Sequence, residues 1–382
     1  MHILIVPDSF KGSLSSIEAA QCIDTGFRRV FSGCTSGLLP VADGGEGTVE
    51  ALVAGAGGQI VTATVSDPLG RPVEAQFGLL EDGWAVIEMA QASGLPLLAP
   101  QERNPGRTST YGTGQLIRAA LDRGCRHMLI GIGGSATNDG GAGMATALGV
   151  RFLDSGGALL PLGGLALADL AQIDLTQLDP RIRDTEFVVA SDVTNPLCGP
   201  SGASAVYGPQ KGASPQQVAA LDEALAHYAT LLATTCGLDV ANLPGAGAAG
   251  GLGAGLMAFC SARLWPGIDV IFERLGLEAQ IARADLILTG EGRVDATSAN
   301  GKLLSGVGRL ALRHRKPVIA LTGSAGEGSQ TLEALGIRAV VPIADGPISL
   351  EQSLADASRL ITDAAERTAR LLRIGAELSG HF

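Results

Sequence analysis

The sequence predicts an α/β protein in which a parallel-sheet domain is interrupted by a second, inserted domain. Three observations carry this reading. Short β-branched runs alternate with helical periodicity at both ends of the chain. Residues 59–90 break that rhythm with three strand-like runs joined by short turns. Most expected strands then stop in glycine, acidic or hydroxyl residues, as sheet edges that bind ligands do.

The elements follow in order. Residues 2–6 are a β-branched run and predict the first strand. Ser15-x-x-Glu18 is a capping box, after which Ile17, Ala20, Ile23, Phe27 and Val30 recur at helical spacing. A second strand is expected at 37–41, and the glycine-rich turn behind it opens a helix over 48–54. The turns Asp67-Pro-Leu-Gly70 and Glu81-Asp-Gly83 are too short for crossovers, so the runs of 59–90 pair antiparallel. A helix at 114–122, a strand at 127–132, a helix at 142–148 and a strand at 187–190 come next. Val218, Leu221, Leu225 and Tyr228 mark a helix over 215–233. The glycine-rich stretch 245–255 is expected to precede a helix. Strands are expected again at 285–288, 317–321 and 339–343. Ser349-x-x-Gln352 caps a last helix with Leu354, Ile361, Ala365 and Leu372 on its apolar face. The predicted domains are 1–62 plus 283–382, discontinuous, and 63–282, inserted.

Composition narrows the functions. Hydrophobic residues make up 46% and aromatics 4% of the 382, so the core is aliphatic. A net charge of −11 argues against nucleic acid and acidic membrane surfaces as partners. The six cysteines are scattered without a C-x-x-C pair, which suits free thiols in a reducing compartment. The N-terminus turns acidic too soon for a signal peptide, and no run of 18 apolar residues occurs. A cytoplasmic protein is expected, with its oligomeric state open.

The chemistry is expected beyond the strand ends. Six turns stand out: Asp8-Ser9-Phe10-Lys11-Gly12, Asp43-Gly44-Gly45-Glu46-Gly47-Thr48, the run from Gly133-Gly134-Ser135 through Thr137-Asn138-Asp139, Ser191-Asp192-Val193-Thr194-Asn195, Gly290-Glu291-Gly292-Arg293 with Asp295, and Gly323-Ser324. Glycine lets backbone N–H groups approach a ligand, and a following helix N-terminus favours an anion. Interspersed carboxylates suit Mg²⁺ held partly by phosphate oxygens. Together these features suggest phosphoryl transfer. Taken singly, each turn is also ordinary loop geometry: Asp43 and Asp192 suit N-caps, and Lys11, Lys211 and Lys302 suit surface charge. No P-loop or nucleophile elbow is present.

As a set, "PDSFKGSLS", "PVADGGEGTVEAL", "IGIGGSATNDGGAGMATALG", "SDVTNPLCGPSGASAVYGPQKGAS", "LPGAGAAGGLGAGL" and "LILTGEGRVD" followed by "GK" resemble the bacterial class I glycerate kinase family, in that family's order. The resemblance covers nearly the whole chain. It implies a flavodoxin-like domain carrying an inserted α/β domain, and phosphorylation of D-glycerate by ATP with Mg²⁺. The product it implies is 2-phosphoglycerate more than 3-phosphoglycerate. Thr297 stands where the family usually has Gln, and Leu304 where Pro is common. The rival chemistries are a Mg²⁺-dependent phosphatase or dehydratase of a small hydroxy acid, and a non-catalytic acid sensor.

The roles expected are as follows. The turns of the two domains close a cleft. Asp192 serves as the base, with Asp295 as the second candidate, and Lys11 offers a positive charge. Asp43 and Glu46 hold the metal. Ser9, Gly44, Gly45, Gly47, Ser135, Thr137, Asn138, Asp139, Thr194, Asn195, Arg293 and Lys302 bind substrate or phosphate.

Overall fold

The computed structural model describes residues 1–42, 44–294, 303–327 and 329–379. Asp43, Asp295 and Lys302, three of the expected site residues, lie outside the described residues, as does Thr297. The strands are β1 (His2–Pro7), β2 (Thr35–Leu38), β3 (Gly58–Ser66), β4 (Pro72–Leu80), β5 (Trp84–Glu88), β6 (His127–Gly131), β7 (Arg151–Leu153), β8 (Gln172–Asp174), β9 (Glu186–Ala190), β10 (Arg263–Trp265), β11 (Leu286–Val294), β12 (Val318–Ala325) and β13 (Ala339–Pro342). Two compact units contain them: Met1–Asp43, Glu50–Gly57 and Ile268–Phe382 form the first, Gly44–Val49 and Gly58–Gly267 the second.

The first unit is built on an all-parallel five-stranded sheet, ordered β13-β12-β11-β1-β2. Counted within the unit, the order is 2-1-3-4-5, the flavodoxin-like winding. Ile3, Ile5, Leu288 and Leu321 from the strands meet Ile23, Phe27, Ile361 and Ala365 from two helices in one core. The Ser15–Glu18 capping box starts the helix Ser16–Arg28. This helix lies so close to the helix Ala357–Ser379 that a Cβ on Gly26 would stand 2.0 Å from the Thr362 carbonyl oxygen. The expected last helix is in fact two, Leu350–Ala355 and Ala357–Ser379, parted at Asp356. Leu354 therefore leaves the apolar face and is exposed, while Ile361 and Ala365 are buried. β2 begins and ends earlier than expected, although Leu39 and Val41 still donate to the Ile5 and Pro7 carbonyls.

β11 and β12 run past their expected ends, so Thr289 to Arg293 are strand rather than turn. Glycine permits this. A Cβ on Gly290 would stand 2.2 Å from the Leu321 oxygen, and one on Gly323 would stand 2.3 Å from the Gly292 oxygen.

The second unit has a six-stranded sheet ordered β10-β9-β6-β5-β4-β3, with β7 and β8 as a separate hairpin. β5, β6, β9 and β10 are parallel, whereas β3–β4 and β4–β5 are antiparallel as the turn lengths require. Phe77, Ile87, Met128, Ile130, Phe187, Tyr228 and Phe259 fill its core. The glycine-rich stretch enters the helix Ala248–Cys260 rather than preceding it, with Ala249, Gly250 and Gly251 left-handed inside. A Cβ on Gly250 would fall 1.9 Å from the Thr137 oxygen.

The units divide at 57/58 and 267/268, not at 62/63 and 282/283. β3 pairs with β4 from Gly58 onward, and a Cβ on Gly55 would meet Leu275 at 2.5 Å, which ties the segment after Ile268 to the first unit. No helix of the described residues is long and apolar enough to cross a membrane.

Candidate active site

In the first unit the strand order reverses between β1 and β11, and the segment after β1 turns there. The Asp8 N–H donates to the Gly290 carbonyl at 2.9 Å, and the Asp8 carboxylate accepts the Ser9 N–H at 2.6 Å. Asp8 and Ser9 are half-buried and Lys11 is exposed. On β11, Glu291 is only 8% exposed and registers with Thr322 of β12, whose buried hydroxyl has no hydrogen-bond partner among the described residues. Arg293, two residues on, is exposed.

In the second unit, β5, β6, β9 and β10 end on one edge, after Glu88, Gly131, Ala190 and Trp265. The Gly44–Val49 segment lies across this edge. A Cβ on Gly131 would stand 2.4 Å from the Gly44 oxygen, and one on Gly133 would stand 3.2 Å from the Gly45 Cα. One on Gly44 would stand 3.0 Å from the Ala190 Cβ. The Thr48 hydroxyl donates to the Gly45 carbonyl at 2.7 Å, closing the turn, and Glu46 projects into solvent.

The helix Thr48–Ala56 begins here, and the Glu88 carboxylate, 4% exposed, accepts the Val49 N–H at 2.7 Å. A buried acid thus occupies the electropositive helix start. Glu88 was missed among the candidate residues, although the signal was present: like its neighbours, the run Ala85-Val86-Ile87 ends in an acid.

The turn after β6 divides in two. Gly133 and Gly134 are exposed, and their N–H groups donate to no described residue. Ser135 is 8% exposed, and Thr137, Asn138 and Asp139 lie inside. Asp139 accepts N–H groups from Thr110 at 2.8 Å, Gly141 at 3.1 Å and Gly143 at 3.2 Å. Burial pushes its carboxyl pKa up, against those hydrogen bonds. Thr137, Asn138 and Asp139 therefore hold the turn from within and present no surface to a substrate.

After β9, Asp192 is exposed and accepts the Gly267 N–H at 3.0 Å. Thr194 is exposed. Asn195 is engaged at both ends, donating to the Ser201 carbonyl at 2.8 Å and accepting the Tyr207 hydroxyl at 2.9 Å, so it braces its loop.

Among the described residues, no three His, Cys, Asp or Glu side chains gather as a cation cage. Nucleotide-borne Mg²⁺ asks for less, one or two carboxylates beside phosphate oxygens. Each edge offers carboxylates of that kind, Asp8 in the first unit and Glu46 and Asp192 in the second, beside glycine-rich backbone. The donor set fits a metal that arrives with phosphate.

Comparison with known proteins agrees. A model of the "Glycerate kinase family" matches residues 3–373. The glycerate kinase of Halalkalibacterium halodurans is 47% identical over 96% of this chain and 97% of its own. The glycerate 2-kinase of Escherichia coli K12 is 46% identical over 100% of both chains. A crystal structure from Salmonella typhimurium LT2, provisionally named glycerate kinase 2, superposes with a TM-score of 0.90 at 49% identity, covering 99% of each chain. A match this long, on a fold whose two sheet edges both end in glycine and acid, has one reading: the chain belongs to the glycerate kinase family.

Proposed function

We propose that this protein transfers the γ-phosphoryl group of ATP to D-glycerate, forming 2-phosphoglycerate, as a cytoplasmic Mg²⁺-dependent kinase. The observation that carries this reading is the 46% identity to a glycerate 2-kinase over 100% of both chains. The exposed Gly133–Gly134 backbone and the glycines of the Gly44–Val49 turn support it, because phosphoryl transfer relies on positioned donors rather than on covalent chemistry.

Asp192 is the group we assign to orient and deprotonate the attacking hydroxyl. Its carboxylate is solvent-accessible and steadied by the Gly267 N–H. Asp295 remains the second candidate. Lys11 supplies a point positive charge to the glycerate carboxylate or the migrating phosphoryl group. Ser9, Ser135, Thr194, Arg293 and Lys302 are assigned polar contacts to substrate, and Gly45 and Gly47 backbone contacts to phosphate. Asp43 and Glu46 would hold Mg²⁺, which when bound neutralises charge on the phosphate oxygens.

The test is ADP release in a coupled assay with and without D-glycerate. Release that needs both glycerate and Mg²⁺ is expected, and its absence refutes the reading. The phosphorus NMR spectrum of the product then distinguishes the 2- from the 3-phosphate.

A further inference from the structure

Lys211 sits between turn residues in "GPQKGAS", where a solvated charge is the ordinary expectation. It is instead 1% exposed, at the end of the short 3-10 helix Pro209–Lys211. Its Nζ donates to the Thr137 carbonyl at 2.7 Å. Burial draws its pKa down to about 7, while Asp139 favours the charged form.

The next two residues of the same turn are held as firmly. The Asn138 amide donates to the Ser204 hydroxyl at 2.9 Å. Asp139 accepts the Thr110 hydroxyl at 2.9 Å in addition to its three backbone donors. Three consecutive residues are thus fixed by three separate interior partners, and the exposed part of the turn is Gly133 and Gly134.

Stability alone gives no reason for an ammonium here. Burying a charge costs desolvation that apolar side chains of the same volume avoid. A methionine would fill the space without desolvating a charge, but it could not hold the Thr137 carbonyl. We propose that Lys211 is a positioning residue for phosphoryl transfer: through Thr137 it fixes the Gly133–Ser135 backbone at the end of β6, where the free N–H groups meet phosphate oxygens. This rests on the kinase reading above, and two different readouts keep the two separable.

The variants are Lys211→Met and Lys211→Arg, each assayed at a temperature where circular dichroism shows it folded. Lys211→Met should lose about 10²-fold in kcat, the scale of a small misplacement of reacting groups. Its KM for glycerate should stay within about twofold, because uniform binding is not what is lost. Lys211→Arg, which keeps a charged donor, should recover most of kcat. Native-state hydrogen exchange at the amides of 134–137 should be at least tenfold faster in Lys211→Met, wherever Lys211 restrains that backbone.

A folded Lys211→Met with wild-type kcat and unchanged exchange overturns the proposal. Should Lys211→Met not fold, the double variant Lys211→Met/Asp139→Asn, which leaves no uncompensated buried charge, is compared with Asp139→Asn alone. Equal kcat and equal exchange in that pair also overturn it. If the wild type releases no ADP with glycerate, the kinase reading fails, and the exchange measurement still decides whether Lys211 restrains the turn.

Discussion

Gly131→Ala probes the meeting of the Gly44–Val49 segment with the end of β6. The added Cβ would lie 2.4 Å from the Gly44 oxygen and 3.2 Å from its carbonyl carbon. A carbon–oxygen contact normally settles near ~3.3 Å or beyond, so the overlap is roughly 0.9 Å. Both parties are backbone, and no rotamer change relieves the clash. Intrinsic propensity points the other way, since alanine is favoured over glycine inside a strand by about 0.5–1 kcal/mol. Any loss therefore comes from the contact, and overpacking of this kind costs about 1–3 kcal/mol. Trp84 and Trp265 are the chain's two tryptophans, and both belong to the second unit. Intrinsic fluorescence during urea unfolding consequently reports that unit without interference from the other. The midpoint should fall for Gly131→Ala. It should stay level for Gly33→Ala, which lies in the first unit and whose added Cβ meets nothing within 4 Å. If Gly131→Ala unfolds at the wild-type midpoint with wild-type turnover, the Gly44–Val49 segment does not rest on β6 as described.

Three further perturbations follow from the same geometry. Asp192→Asn should lower kcat by about 10²-fold or more while the amide oxygen still accepts the Gly267 N–H, leaving stability unchanged; full turnover would remove Asp192 from the role of base. Glu88→Ala strands the buried Val49 N–H and should cost about 1–3 kcal/mol in the same fluorescence assay, with Glu88→Gln costing less; equal midpoints for the two variants would show that the hydrogen bond carries no weight. Burial pushes the Cys260 thiol up to about 12, so at pH 8 only about one molecule in 10⁴ carries the thiolate. Mass spectrometry after native labelling should find Cys260 unmodified while the partly exposed Cys22 has reacted, and rapid labelling of Cys260 would contradict its burial.

What was legible in the sequence was local. The capping boxes proposed at Ser15 and Ser349 close within one helical turn, so the residues that make them are neighbours in the chain; the structure adds a third, at Ser214. The antiparallel β3–β4–β5 pairing was legible because connections this short permit no crossover. The burial of Lys211 and Glu88 was not legible in the same way. Their burial depends on partners 74 and 39 residues away, and nothing in "GPQKGAS" announces the Thr137 carbonyl. β11 was cut short for a related reason: its glycines read as turn signals, whereas they serve close strand pairing, which only the neighbouring backbone reveals.

That distinction changes what the glycine-rich turns say about ligands. A glycine can be required because a ligand approaches or because the protein's own backbone does, and the sequence pattern is the same for both. Gly44 belongs to the second kind, with Ala190 standing where its side chain would be. Gly131, Gly250 and Gly251 do too, each facing backbone within 2.7 Å of a would-be Cβ. Gly47 differs, since nothing lies within 4 Å of its Cβ position, and Gly133 and Gly134 are exposed with unspent N–H groups. Of the glycines first assigned to phosphate, Gly44 is better understood as the packing contact that seats the turn. Gly47, together with Gly133 and Gly134, keeps the open backbone that an anion could reach. A Gly44→Ala variant should therefore lose stability along with activity, whereas Gly134→Ala, with only an Ala90 Cβ at 3.4 Å to accommodate, should reveal its strain at φ +73 mainly in turnover.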